Sequence, residues 1–326
     1  MKHSAARHPR REANHYLPDG FEARVLEPSP PADADAGWYA DDPTDPTPGR
    51  GLVTPIPREG VTWGELAECD ARVSAFARDH WLDGIRPLDP LSDTYDTTRR
   101  ALHQVAFFAV APMRFVYTGK LGLRYTFGGF GTPFFSRDSG TDEQVRVEGD
   151  VLVHQIGDEV RTARISTLGD ATQFLGVAYR EEWFDGFHDP LASAGPHTPL
   201  EVDPVASAAV GDWFGFATHI LERFRRSGAE EISRVQLWPE HFDPAMEAGS
   251  SERHQRASYG ASPGDDGRRE PYLYVTPWSD VDVSDPYWNA ESFIGSVLGH
   301  RELRGAADPY RAALEFLEAG LEKLTQ

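Results

Sequence analysis

The chain has 326 residues, 40% of them hydrophobic and 11% aromatic, enough for a sizeable core in one large domain or two ordinary ones. Its 32 basic residues face 52 acidic ones, a formal net charge of −20 that repels a nucleic-acid backbone or an anionic membrane surface at long range. A single cysteine, Cys69, excludes an intrachain disulfide and a thiolate metal cluster. No apolar run has signal-peptide length or approaches the ~18 residues of a membrane span, so a cytoplasmic protein is expected.

Residues 1–60 are rich in proline (Pro28, Pro30, Pro31, Pro43, Pro46, Pro48, Pro55, Pro57) with acids between, a composition that favours extended, sparsely packed backbone. They are expected to form a largely irregular arm ahead of one α+β domain over 61–326. Thr62 and Glu65 make a capping box, and Leu66, Cys69, Val73, Phe76 and Trp81 follow at helical spacing, which places Cys69 on an apolar stripe. A second helix is expected from Thr97 to Ala111, stopped by Pro112, with His103 packed among its apolar residues.

From Arg114 to Ile165 the period changes to two. RFVY and LGLRYTF read as strands, and the run about 144–165, punctuated by Gly149-Asp150 and Gly157-Asp158, reads as a three-stranded antiparallel meander. A short helix over Ala171–Val177 and a long one over Pro204–Arg226 follow. Asp203 is the N-cap of the long helix, Pro204 its first residue and Gly228 its stop. Asp308-Pro309 opens a last helix with a leucine stripe. The fold class is therefore α+β, a mainly antiparallel sheet flanked by amphipathic helices.

Gly128-Gly129-Phe130-Gly131-Thr132-Pro133 has the glycine content of a phosphate loop, but Pro133-Phe134-Phe135 follows where a helix is needed. The stretch reads instead as a glycine-rich turn or bulge. The chemistry concentrates later. Val235–Trp238 reads as a buried strand, Pro239 ends it, and Asp243-Pro244 reads as N-cap and first position of a short helix. That puts Glu240, His241 and Asp243 on a strand-to-helix turn. Downstream, Asp265 sits in a Pro-Gly-Asp-Asp turn, and Tyr272 and Tyr274 alternate with Leu273 and Val275 on a strand, so the two phenols share a face.

If the two strands are neighbours, these six residues line one cavity with Trp238 and Trp278. A histidine beside a carboxylate is a working acid/base pair, and tyrosine hydroxyls orient or protonate a substrate. The structural alternative is that Asp243 caps, Asp265 makes a turn and His241 bonds to backbone. A third reading takes His241, Asp243 and His300 as a two-histidine, one-carboxylate set for a divalent metal such as Fe(II), with Arg311 for a 2-oxoacid and His254 as another available ligand. No nucleophile elbow is present, and Cys69 has no histidine placed beside it.

GGFGTPFF, VRVEGDVLV, LWPEHFD, YGASPGDD and EPYLYVTPW together resemble an uncharacterised family of actinobacterial cytoplasmic proteins, over most of the chain after residue 60. The shorter pattern Leu-Trp-Pro-x-His-Phe-Asp, Pro-Gly-Asp and Pro-Tyr-x-Tyr is similar to a second uncharacterised family over the C-terminal half. Neither resemblance implies an activity, cofactor or site. The residues themselves point to a small-molecule-binding protein or enzyme with its pocket around 238–278, or else to a non-catalytic interaction protein.

Overall fold

The computed structural model describes residues 88–126, 129–136, 141–183 and 191–326, and the first element among them is helix α1 (Tyr95–Val105). The expected arm over 1–60, the helix beginning at Thr62 and Cys69 lie outside the described residues. Asp96 sits in the first turn of α1, where the helix dipole favours an acid, and accepts from Arg99 at 2.7 Å and Arg100 at 3.2 Å.

Pro112 does not stop this helix. A π-turn at Ala106–Val110 intervenes, with the Ala111 N–H bonded to the Ala106 carbonyl five residues back. The widened turn accommodates a residue that lacks an N–H and whose ring would crowd the carbonyl of a regular turn. Pro112 thus lies in the first turn of α2 (Ala111–Thr118), which ends at Gly119 with φ +67°. RFVY is therefore helical rather than extended. Adding residues to an existing helix requires no new nucleation, and that outweighs the β-propensity of Phe115, Val116 and Tyr117.

The first sheet contains β1 (Arg124–Thr126), β2 (Gly129–Gly131), β4 (Asp142–Glu148), β5 (Val151–Ile156) and β6 (Glu159–Arg164) in that order. The short β3 (Phe135–Ser136) also pairs with β4. The meander β4-β5-β6 is the expected one. Glu148↔Val151 and Ile156↔Glu159 flank its two turns, and Gly149 (φ +62°) and Gly157 (φ +56°) supply the left-handed positions those turns need. The described part of the glycine-rich motif is extended. Gly129 and Gly131 are strand residues so close to the Val147 and Val145 carbonyls of β4 that a Cβ would overlap them.

Helix α3 (Leu168–Leu175) is capped by Thr167, and helix α4 (Pro204–Phe224) by Asp203, whose carboxylate accepts from the Ala206 N–H at 2.8 Å. Helix α4 is the common wall of the molecule, touching β1 and β2 on one side and β8 and β9 of the second sheet on the other. That second sheet runs β11 (Ser296–Gly299), β10 (Tyr272–Pro277), β9 (Ala257–Ser262), β8 (Asp243–Ala248) and β7 (Gln236–Trp238), antiparallel throughout. Two backbone hydrogen bonds between Leu123 and Leu237, 2.8 and 2.9 Å, join the sheets. Helices α5 (His300–Gly305) and α6 (Pro309–Thr325) close the chain, with α6 against α4, β10 and β11.

Asp243-Pro244 begins a strand, not a helix. Leu237 lies opposite Pro244, and both Leu237 backbone groups are turned away to Leu123, so the missing proline N–H costs that ladder nothing. Pairing of β8 with β9 starts one residue later, at Ala245↔Gly260.

The period of two in the second sheet separates two environments. Leu237, Met246, Ala248, Tyr259, Ala261, Leu273 and Val275 enter the apolar core with Trp213, Phe214 and Phe224 of α4 and Leu317 of α6. The intervening residues face the other way and form the floor of a cleft. Among the described residues, no helix is long and apolar enough to cross a membrane.

Candidate functional site

The cleft encloses about 910 Å³ over the outer face of the second sheet. All six residues expected to share a cavity line it: Glu240, His241, Asp243, Asp265, Tyr272 and Tyr274. Trp238 is there as well, 36% exposed at the rim. Trp278 is not in the lining. It packs under the Arg256 guanidinium, 5.0 Å from the ring centroid, and donates from its indole to Ser258 Oγ at 3.0 Å.

One end of the cleft is the hairpin loop Pro239-Glu240-His241-Phe242 between β7 and β8, closed by the Phe242 N–H on the Trp238 carbonyl at 2.7 Å. Phe242 has φ +56°, an unfavourable conformation for a side chain of this size. Packing holds it there. Its ring is 1% exposed, edge-on to Phe130 of β2 at 4.9 Å and to Phe214 of α4 at 5.0 Å, and stacked on His103 of α1 at 5.3 Å. His103 also reaches the loop backbone. Its Nε2 lies 3.0 Å from both the Pro239 and the Glu240 carbonyl oxygens, a geometry that requires the tautomer with Nε2 protonated. Burial, followed by the nearby Arg99 and His241 charges, lowers its pKa to about 4, so His103 anchors the loop as a neutral donor.

This anchoring sets the carboxyls. Asp243 is 4% exposed, accepts from the Tyr274 hydroxyl on Oδ2 at 2.5 Å, and leaves Oδ1 buried without a hydrogen-bond partner. Burial raises its pKa, against the opposing pull of His241 and of the Tyr274 hydrogen bond. Glu240 also carries a buried oxygen, Oε2, without a partner. Its pKa is raised by burial first and by the Asp243 charge as well. His241 is exposed at the mouth.

Tyr274 reaches Asp243 because Gly260 lies between them. Gly260 pairs with Ala245 on one side and with Tyr274 on the other, and the Tyr274 ring occupies the space that a Cβ at 260 would fill. Burial, then the Asp243 charge, pushes the Tyr274 phenol well above its usual pKa. Sequence reading missed Gly260 because its role depends on strand register. It missed His103 as a loop anchor because its partners are 136 and 137 residues away.

The second tyrosine belongs to a more conventional arrangement. Tyr272 donates to Asp265 Oδ2, while Asp265 Oδ1 accepts from the Gly267 and Arg268 N–H groups, both at 2.7 Å. Asp265 is thus a satisfied turn residue whose spare oxygen holds Tyr272 at the cleft wall. The Tyr272 and Tyr274 ring centroids are 6.3 Å apart. Farther along, Glu247 is paired with Arg256 at 2.6 Å.

The divalent-metal set does not assemble. His300 is the first residue of α5, edge-on to Trp213 at 6.3 Å, and does not line the cleft. Among the described residues no group of three or more His, Cys, Asp or Glu side chains is placed to hold a metal ion. Arg311 is occupied on the surface by Glu315 at 2.6 Å, and His254 lies exposed on a turn outside the cleft lining. The helix starts after the Gly299 and Asp308 caps put His300 and Arg311 on helices, where an oxygenase-like site would need strands.

Fold and site together define an α+β protein with two antiparallel sheets and an acidic, aromatic-lined cleft on the outer face of one of them. No protein-family model, curated protein or solved structure matches the chain.

Proposed function

We propose that the cleft is a small-molecule site and that Asp243 is its acid/base group, with Tyr274 fixing the orientation of the carboxyl and Glu240 and His241 beside it. The observation that carries this reading is the buried Asp243 Oδ1, which has no hydrogen-bond partner although Asp243 is 4% exposed. An orphaned buried oxygen destabilises the fold by about 1–3 kcal/mol. Such a group is retained where a ligand satisfies it or a reaction uses it, and a carboxyl whose pKa burial raises holds a proton more readily than an ordinary aspartate, as an acid/base group requires. Tyr272 and Asp265 form the wall, and Trp238 the rim. The net charge of −20 supports a protein that does not bind nucleic acid, and the single cysteine supports a reducing, cytoplasmic compartment. The origin among uncharacterised actinobacterial proteins is supported by the motifs alone.

Native mass spectrometry of the purified protein, with metal analysis of the same sample, tests the reading. A bound low-mass species is expected that His241→Ala and Asp243→Asn both lose while the melting temperature barely moves. Retention of the species in both variants would exclude the cleft as its site. A second reading, a non-catalytic interaction protein, draws on the exposed Trp278, Val283 and Ile294. It is favoured if the purified protein carries no small molecule and these variants lose stability instead.

A further inference from the structure

Four carboxyls face the cleft: Glu240, Asp243, Glu247 and Asp265. Two are already neutralised or satisfied within the protein, Glu247 by Arg256 and Asp265 by two backbone N–H groups and the Tyr272 hydroxyl. The other two, three residues apart around the β7–β8 hairpin loop, each keep one buried oxygen without a donor, Asp243 Oδ1 and Glu240 Oε2. Beside them stand the Tyr272 and Tyr274 rings and, at the rim, Trp238.

We propose that the ligand of this cleft is an organic ammonium ion, held by Asp243 Oδ1 and Glu240 Oε2 against the Tyr274 and Trp238 rings. The proposal rests on the reading of the cleft as a small-molecule site and specifies its chemistry. An ammonium group brings several N–H donors on one cation, which matches two neighbouring acceptors that lack donors. Aromatic faces attract the same cation electrostatically, more strongly where water is excluded. Arg234 and His241 also line the cleft, and His241 acts on both carboxyls, but an anionic metabolite would still meet Asp243 and Glu240 in a protein of net charge −20, whereas a cation is drawn in by the same field.

In the empty cleft burial shifts Asp243 toward its protonated form; wherever that form is populated, binding ionises the carboxyl O–H, the carboxylate receives the ammonium N–H, and the proton leaves to solvent. Binding therefore tightens as pH rises, up to the pH at which the amine itself loses its proton. A neutral polyhydroxylated ligand that accepted a hydrogen bond from protonated Asp243 would show the opposite dependence.

Calorimetric titration with phenethylamine, its neutral isostere 2-phenylethanol and methyl β-glucoside separates these cases. Saturable binding of phenethylamine is expected, at least tenfold tighter than the alcohol, weaker at pH 4 than at pH 8 and releasing protons to the buffer at the lower pH. Asp243→Asn should weaken it at least tenfold, as should Glu240→Gln, a second variant that leaves the Tyr274 hydrogen bond in place. Equal affinity for the alcohol, or tighter binding at low pH, overturns the ammonium proposal. If only methyl β-glucoside binds, and Asp243→Asn abolishes that binding, the ammonium class falls while the small-molecule site stands. If none of the three probes binds, the proposal is overturned, and the small-molecule site falls with it when native mass spectrometry also finds no bound species.

Discussion

Tyr274 on β10 donates its hydroxyl to Oδ2 of Asp243 on β8 at 2.5 Å, across the intervening strand β9. Two strands stand 9–10 Å apart at about 4.8 Å per step, so the bond is possible only for a long side chain lying flat over a residue without a Cβ. Gly260 is that residue.

Replacing Gly260 should therefore act on the site before it acts on the fold. Gly260→Ala puts a methyl into the volume of the Tyr274 ring, which must lift away from Asp243. A loss of about 1–3 kcal/mol is expected from the overlap and the broken hydrogen bond, measured by denaturant unfolding. The diagnostic is non-additivity: in a Gly260→Ala, Tyr274→Phe double mutant most of the second loss should disappear. Full additivity would mean that the ring does not depend on the glycine.

Asp243→Asn should stabilise the protein at neutral pH or leave it unchanged. The folded pKa of Asp243 is raised above its unfolded value by burial, so its favourable contribution is present below the unfolded pKa of about 3.9 and is lost as pH rises through the folded value. Above the unfolded value the wild-type chain bears the cost of either protonating this carboxyl or burying its charge, a cost the amide does not have. Unfolding free energies of both proteins between pH 4 and pH 8 check this. The difference in favour of the variant should grow with pH, and a variant that becomes relatively less stable as pH rises would contradict the buried-carboxyl account.

His103 gives the opposite sign. Its folded pKa of about 4 lies below the ordinary value near 6.5, so the unfolded chain binds more protons between those limits. The stability it contributes is complete above about pH 6.5 and declines toward pH 4. His103→Ala should flatten the wild-type fall in stability over that window and cost about 1–3 kcal/mol at pH 7, because two loop carbonyls lose their donor and Phe242 its stacking partner. His103→Gln, which retains an N–H donor, should recover part of the loss without restoring the acid dependence. The readout is denaturant unfolding at a series of pH values.

Much of this architecture could be read from local sequence because local physics decides it. Gly149 and Gly157 fix the meander by their positive φ, Asp203-Pro204 starts α4, and the alternation of Tyr272, Leu273, Tyr274 and Val275 sends phenols and aliphatics to opposite faces. The misread segments are those where a distant partner decides. Asp243-Pro244 has the local signature of a helix start, yet Leu237 turning to Leu123 makes a strand proline harmless there. RFVY has strand propensity, yet the π-turn before it lets α1 continue past Pro112. In the cleft, clustering in the sequence indicated which side chains meet, but not that Asp265 is satisfied while Asp243 and Glu240 are not. That distinction needs the third dimension.

Everything proposed for the cleft depends on Asp243 being a buried carboxyl held for proton exchange or ligand binding. Its most direct test is a 13C NMR titration of the Asp243 side-chain carboxyl in the full-length protein, assigned by the signal that Asp243→Asn removes. The account predicts a midpoint clearly above the ordinary aspartate value of about 3.9, and one that rises further in Tyr274→Phe, where the hydroxyl that stabilises the charged form is gone. A midpoint at or below the ordinary value would contradict it.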